Sequence, residues 1–153
     1  VRVIEDGEAT AEVTQKWVPL AQVNEALQDY ELRARLTLSD AGSAAIDLRA
    51  QGGEPGLRLV LDHTGPGSAR TGTIEGFDAL TPQFIEAGVP FALRVWVVNA
   101  DSSTRCRVYL NGVLVNDVQT SAPLPAGSIQ IHPAITPDTE LTVENPEIRF
   151  LRK

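Results

Sequence analysis

The residues of this chain that could do chemistry are a few carboxylates, two histidines and a set of arginines, all in or beside stretches of alternating apolar character. In Ala44–Ala50, AAIDLRA, Asp47 and Arg49 stand two apart. On an extended strand both side chains leave one face, opposite Ile46 and Leu48. A carboxylate acceptor beside a bidentate guanidinium donor suits the vicinal hydroxyls of a sugar; in water the same two groups are a solvated ion pair of small worth. Asp62 closes the next apolar run, GLRLVLD. With Asp47 it offers the kind of carboxyl pair that glycoside cleavage needs across about 5 to 9.5 Å. His63 follows Asp62 and His132 precedes Pro133, each at a strand end, where binding loops gather. Surface-loop placement is the plainer account of both histidines, since adjacent strand residues such as Asp62 and His63 face opposite ways.

Other chemistries lack their residues. Two histidines without a close-spaced ligand cluster make no metal motif, and no cofactor is expected. The segment GPGSAR lacks the closing glycine and following helix of a phosphate loop, and no Gly-x-Ser-x-Gly elbow exists for a serine nucleophile. The single Cys106 cannot form a disulfide within the chain; inside an alternating strand pattern it reads as a buried, inert thiol. The less ordinary pattern is arginine: Arg33, Arg35, Arg94, Arg105, Arg107 and Arg149 all fall on outward strand positions, with Trp96 and Tyr109 among them. Trp96 could stack on a pyranose ring and the arginines could bind uronates or sulfates. Alternatively the arginines lie over apolar surface and pair with acids such as Glu31 and Glu147. Trp17, isolated in QKWVP, reads as core or edge packing.

The elements that must position these residues are strands. In Tyr30–Leu38, YELRARLTL, Tyr30, Leu32, Ala34, Leu36 and Leu38 share a face, the period-2 pattern of a sheet with one wet side. Ala44–Ala50 and Gly56–Asp62 predict the next two strands, joined by a turn-rich QGGEP, and the Gly, Thr and Ser residues of Thr64–Gly76 predict a loop. Phe91–Val98 and Thr104–Leu110 follow, and Asn111-Gly112 joins the latter to Val113–Val118. Both central residues of a type I′ turn need φ > 0, which Asn-Gly supplies most readily, so this is a tight hairpin with its register set by the turn. Ser128–His132 and one or two strands within Thr139–Arg152, broken by Pro146, complete the series. The spacing of Leu20, Val23 and Leu27 predicts one short helix within Leu20–Asp29. About ten or more short strands with regular turn signals give an all-β chain of two antiparallel sheets packed face to face.

The bulk numbers bound the rest. With 153 residues the chain is one domain, 1–153, large enough to bury a core. A net charge of −7 makes nucleic acid a poor partner, and no run approaches the roughly 20 apolar residues of a membrane span. The chain has no methionine and opens Val1-Arg-Val-Ile-Glu, so it is expected to be a mature or excised piece of a larger protein.

The succession YELRARL, AAIDLR, GLRLVLD, PFALRVWVVNADSSTRCRVYLNGVLVNDV, GSIQIH and ENPEIRFLRK, spanning about Tyr30 to Lys153, resembles the 3-keto-disaccharide hydrolase domain family, a relative of laminin-G and concanavalin-A-like jelly rolls. The resemblance implies a jelly-roll β-sandwich whose curved sheet binds sugars, often in secreted or surface proteins of bacteria. Arg49 and Asp62 match the family's pattern. Ala41-Gly-Ser replaces its Asn-Ser-Gly, and the third strand lacks its usual Glu and Gln. The expected function is therefore glycan recognition without catalysis, by an exported or surface module, through Asp47, Arg49, Asp62, His132 and Trp96. Hydrolysis of a 3-keto-glycoside and a structural, protein-docking role are the alternatives.

Overall fold

The computed structural model describes residues 2–5, 8–13, 16–39, 42–63, 70–77, 86–132 and 140–152. Twelve strands account for most of them: β1 (Arg2–Glu5), β2 (Glu8–Val13), β3 (Val18–Pro19), β4 (Tyr30–Leu38), β5 (Gly42–Ala50), β6 (Leu57–His63), β7 (Arg70–Ile74), β8 (Phe91–Ala100), β9 (Ser103–Leu110), β10 (Val113–Gln119), β11 (Ser128–His132) and β12 (Leu141–Arg152). They form two antiparallel sheets. The larger has eight strands in the order β1-β2-β12-β4-β8-β9-β10, with β3 also paired to β12; the smaller runs β11-β5-β6-β7. The all-β, two-sheet sandwich predicted from alternation is the observed architecture.

The core lies between the sheets. From the larger come Leu32, Leu36, Val95, Val97 and Val108, and from the smaller Ile46, Leu48, Leu59, Leu61 and Ile74, all essentially inaccessible to water. Each is one member of a period-2 series, so the same alternation that buries these residues aims their neighbours away from the core.

Local chemistry explains the irregular points. Asn111 and Gly112 take φ of 49° and 81°, the two positive values of the expected hairpin turn. The turn is docked on β8: Asn111 N–H donates to the Ala92 carbonyl at 2.9 Å, and Ala92 N–H donates to Asn111 Oδ1 at 2.9 Å. Pro146 does not end β12. The pairing with β4 slips between Glu144 and Glu147, and Asn145 turns left-handed at φ 49°, so a bulge absorbs the residue that has no N–H to give.

Two expectations need correction. The helix predicted within Leu20–Asp29 is only a 3-10 turn, Leu20–Gln22, without a side-chain cap; a segment that short has too few hydrogen bonds to offset the cost of a helix nucleus. The loop predicted over Thr64–Gly76 contains β7, whose small polar residues pair with β6. Among the described residues no helix is long and apolar enough to cross a membrane.

Candidate functional site

Of the sequence-predicted site residues whose side chains are described, Asp47 and His132 come together, while Arg49 and Trp96 are buried apart from them. Arg49 ends the regular part of β5 with φ 50°, and the left-handed turn carries its side chain off the face it would share with Asp47. It runs instead into the interior and is 1% exposed. Its Nη1 donates to Asn99 Oδ1 (2.5 Å), Thr104 Oγ1 (3.1 Å) and the Leu124 carbonyl (2.9 Å). Its Nη2 donates to the Gln28 carbonyl and lies 3.5 Å from Asp29 Oδ1. Gly56 and Gly127 press on the same corner, where a Cβ on Gly127 would come within 2.4 Å of the Arg49 carbonyl carbon. Arg49 thus ties β5 to β8, β9 and two connections, and it has no surface to offer a ligand.

Asp47 is also fully buried. Arg58 grips it through Nε (2.8 Å) and Nη2 (3.1 Å), and His132 Nε2 lies 2.8 Å from its Oδ2. Burial alone would raise this carboxyl, but Arg58 and His132 more than reverse that and hold it below its ordinary range. That direction is opposite to the raised value a general acid needs. His132 keeps a side chain 40% exposed, while the side chain of Asp62 lies outside the described residues. Trp96 faces away from the core as the alternation requires, yet it is only 2% exposed. It packs on Val98 and Leu151, and the Arg107 guanidinium lies 5.3 Å from its ring centre. Its cross-strand neighbours Glu31 and Arg107 are both buried with it, so no sugar ring can reach it.

The outer face of the larger sheet carries the remaining polar residues in rows that cross the strands. One row is Arg149, Glu31, Trp96, Arg107 and Asp117. It is closed: Glu31, wholly buried, accepts from Arg149 and lies 3.3 Å from Arg94 Nη1, while Asp117 accepts from Arg105 and contacts Arg107 at 3.4 Å. The next row is Glu147, Arg33, Arg94 and Tyr109. Here Arg33 Nε donates to Glu147 Oε1 at 3.0 Å, and the aromatic faces are occupied: Arg33 and Arg149 lie 3.9 and 4.4 Å from the Trp17 ring, and Arg94 lies 4.2 Å from that of Tyr109. The third row is Glu144, Arg35 and Ala92, and it ends against the Asn111 turn.

Ala92 decides the shape of this surface. It is an exposed methyl among long side chains, and the space above it opens into a groove of about 550 Å³. Arg33, Arg35, Arg94, Glu144, Asn145 and Asn111 stand on its walls, and Tyr109, Gly112 and Glu147 complete the polar part of the lining. That volume falls within the about 300–1,000 Å³ usual for small-molecule sites. The walls hold planar bidentate donors, carboxylate acceptors and amides within one opening, the mixture that reads hydroxyl groups. Among the described residues no group of three or more His, Cys, Asp or Glu is arranged to hold a metal ion.

The arginine and glutamate positions were visible in the sequence as an outward stripe. The groove itself was not, because it depends on a small residue, Ala92, and on the bulge that brings Asn145 to the rim. The Asn111-Gly112 turn sets the register of β9 on β10 only, so neither the pairing of Ala92 with Arg35 nor the bulge could be drawn from it.

No family model matches the chain, and none of the curated proteins matches it in sequence. Solved structures do resemble it. A provisionally assigned glycosyl hydrolase from Parabacteroides distasonis superposes with a TM-score of 0.68 at 15% identity, over 83% of this chain and 80% of that one. A second from the same organism gives 0.65 at 13%, over 98% and 74%. The Caenorhabditis elegans galectin LEC-6 gives 0.52 at 13%, over 94% of each. At these identities the likeness is one of fold: a two-sheet jelly roll.

Proposed function

We propose that this domain recognises a carbohydrate in the groove above Ala92 and does not cleave it, as a module of a larger exported or surface protein. The observation that carries the reading is the groove itself: an open recess of about 550 Å³ lined by guanidinium, carboxylate and amide groups together with the apolar Ala34, Pro90, Phe91, Ala92 and Leu93. Sugars present alternating donors and acceptors above C–H patches, and such a lining answers both. The jelly-roll likeness to the glycosyl hydrolases and the galectin is in keeping with this reading. Binding relies on hydrogen-bonding forks, because the nearby rings of Trp17 and Tyr109 are already faced by arginines.

A glycan array probed with the domain and with Ala92→Trp tests it. Position 92 is exposed, and tryptophan is a favourable strand residue, so the variant folds while its indole fills the groove. Glycan binding by the parent and its loss in the variant is the expected result; binding equal in both would remove the groove from consideration. A second reading, hydrolysis of a 3-keto-glycoside, draws on Glu144 and Glu147, two carboxylates of β12 that both line the groove. Turnover of a chromogenic keto-glucoside that vanishes in Glu144→Gln would put hydrolysis in place of recognition.

A further inference from the structure

We infer that the groove is selective for an acidic sugar, a uronate, and that Arg35 receives its carboxylate; the inference rests on the groove being the binding site. The observation behind it is how the arginines are paired. Arg33 is bonded to Glu147, Arg94 to Glu31, Arg58 to Asp47 and Arg149 to Glu31; Arg105 and Arg107 are held by Asp117, and Arg49 reaches Asp29. Among the arginines whose side chains are described, Arg35 alone has no carboxylate partner and no side-chain hydrogen bond. This occurs in a chain with 20 acidic residues against 13 basic ones, where a partner is easy to supply. Glu144 lies directly across the strand pair from Arg35 and still does not bond to it.

Its position gives the vacancy meaning. Arg35 is exposed and lines the groove, and its other cross-strand neighbour is Ala92, the floor. A planar fork with its donors uncommitted, at the edge of a recess, matches the two oxygens of a carboxylate. The remaining wall groups are arranged for hydroxyls: the exposed amides of Asn111 and Asn145 and the carboxylate of Glu144. The same surroundings limit how much negative charge is accepted. Glu144 and Glu147 flank the arginines, and the whole chain carries −7, so a densely sulfated polymer is repelled while one carboxylate on a short oligosaccharide is not.

The test measures binding, by ligand-observed NMR or calorimetry at low salt, of methyl glycosides of glucuronic, galacturonic, mannuronic, guluronic and iduronic acid. Each is compared with its neutral hexoside, and 6-sulfated hexosides form a separate arm. At least one uronoside is expected to bind about tenfold or more tightly than its neutral counterpart, the worth of one charge-assisted fork. Arg35→Gln is expected to erase that ratio, weakening the uronoside about tenfold more than its neutral counterpart, and Ala92→Trp to abolish both. Equal binding of acidic and neutral partners across the panel would overturn the uronate inference and leave the groove standing, as would a ratio that survives in Arg35→Gln. Preference for sulfated hexosides over uronosides would refute the carboxylate assignment. Binding of any member that Ala92→Trp leaves intact, or no binding of any member, would overturn this inference; the glycan array decides separately whether the groove reading falls with it.

Discussion

Replacing Arg49 by methionine separates scaffold from site. The thioether nearly conserves length and has a Cβ like arginine, so the left-handed backbone at φ 50° is unchanged and only the donors are removed. The partners fare unequally. Asn99 Oδ1 still accepts from Thr104 Oγ1 at 2.8 Å, Thr104 Oγ1 still accepts from Leu124 N–H at 2.8 Å, and Asp29 Oδ1 keeps the Asn99 N–H at 2.8 Å. The carbonyls of Leu124 and Gln28 lose the donor that reached them. Hydrogen bonds to a charged group contribute about 1.5–3 kcal/mol each, offset in part because methionine sheds arginine's desolvation cost, so the net loss is about 3 kcal/mol. For a chain of this length that lowers Tm by roughly 6–12 °C. Urea unfolding followed by tryptophan fluorescence reads it directly, with an unchanged slope showing that the folded state is the same size. A loss under about 1 kcal/mol would refute the argument that Arg49 ties the two sheets together. So would lost glycan binding in a variant that remains folded, because Arg49 would then belong to the ligand site.

Other outcomes follow from the same contacts. Asp47→Asn removes the carboxylate held by Arg58 and His132 and costs about 2 kcal/mol at neutral pH. Since the folded-state value is below the unfolded one, near 3.9, that contribution is complete above about pH 4 and is lost as the pH falls through the folded value. The gap between parent and variant in acid unfolding should therefore close below about pH 4; a gap that is constant with pH would contradict it. Gly127→Ala places a Cβ 2.4 Å from the Arg49 carbonyl carbon and 2.6 Å from the Ala50 oxygen, backbone atoms that cannot rotate away. A loss of about 2 kcal/mol or more is expected, and an unchanged Tm would mean the corner yields. Burial pushes the Cys106 thiol up to about 12, so a thiol reagent at pH 8 should label it only at the rate of global opening. Rapid labelling of the native protein would show that β9 opens locally.

The layers of this fold were legible because one side of each strand had to be greasy. Tyr30–Leu38 and Ser128–His132 form over the residues their alternation predicts, and Asn111-Gly112 fixes its hairpin through the two positive φ values only such a pair adopts readily. Segments without a strong period were misread: small polar residues in β7 gave no face to recognise, yet β6 had an edge to fill. The polar faces were harder for a different reason. Alternation says which side chains leave the core but not which of them then cover one another. Trp96 and Ala92 occupy equivalent outward positions on the same strand. The tryptophan is surrounded by long partners and vanishes beneath them, while the alanine, too short to meet its neighbours, leaves the hole. Aromatic residues attract attention as sugar platforms, but on a crowded sheet face their size recruits cover. The groove opens where a small residue interrupts the charge pairing, and Arg35, beside that interruption, is among the described arginine side chains the one without a carboxylate. Shortening Trp96 to alanine should therefore cost about 3 kcal/mol or more without opening a useful groove, because Glu31, Arg107 and Arg149 already fill their own pairings around it. New sugar affinity in Trp96→Ala that survives Ala92→Trp would show that removing any bulk from this face suffices, and that the placement of Arg35 beside the gap counts for little.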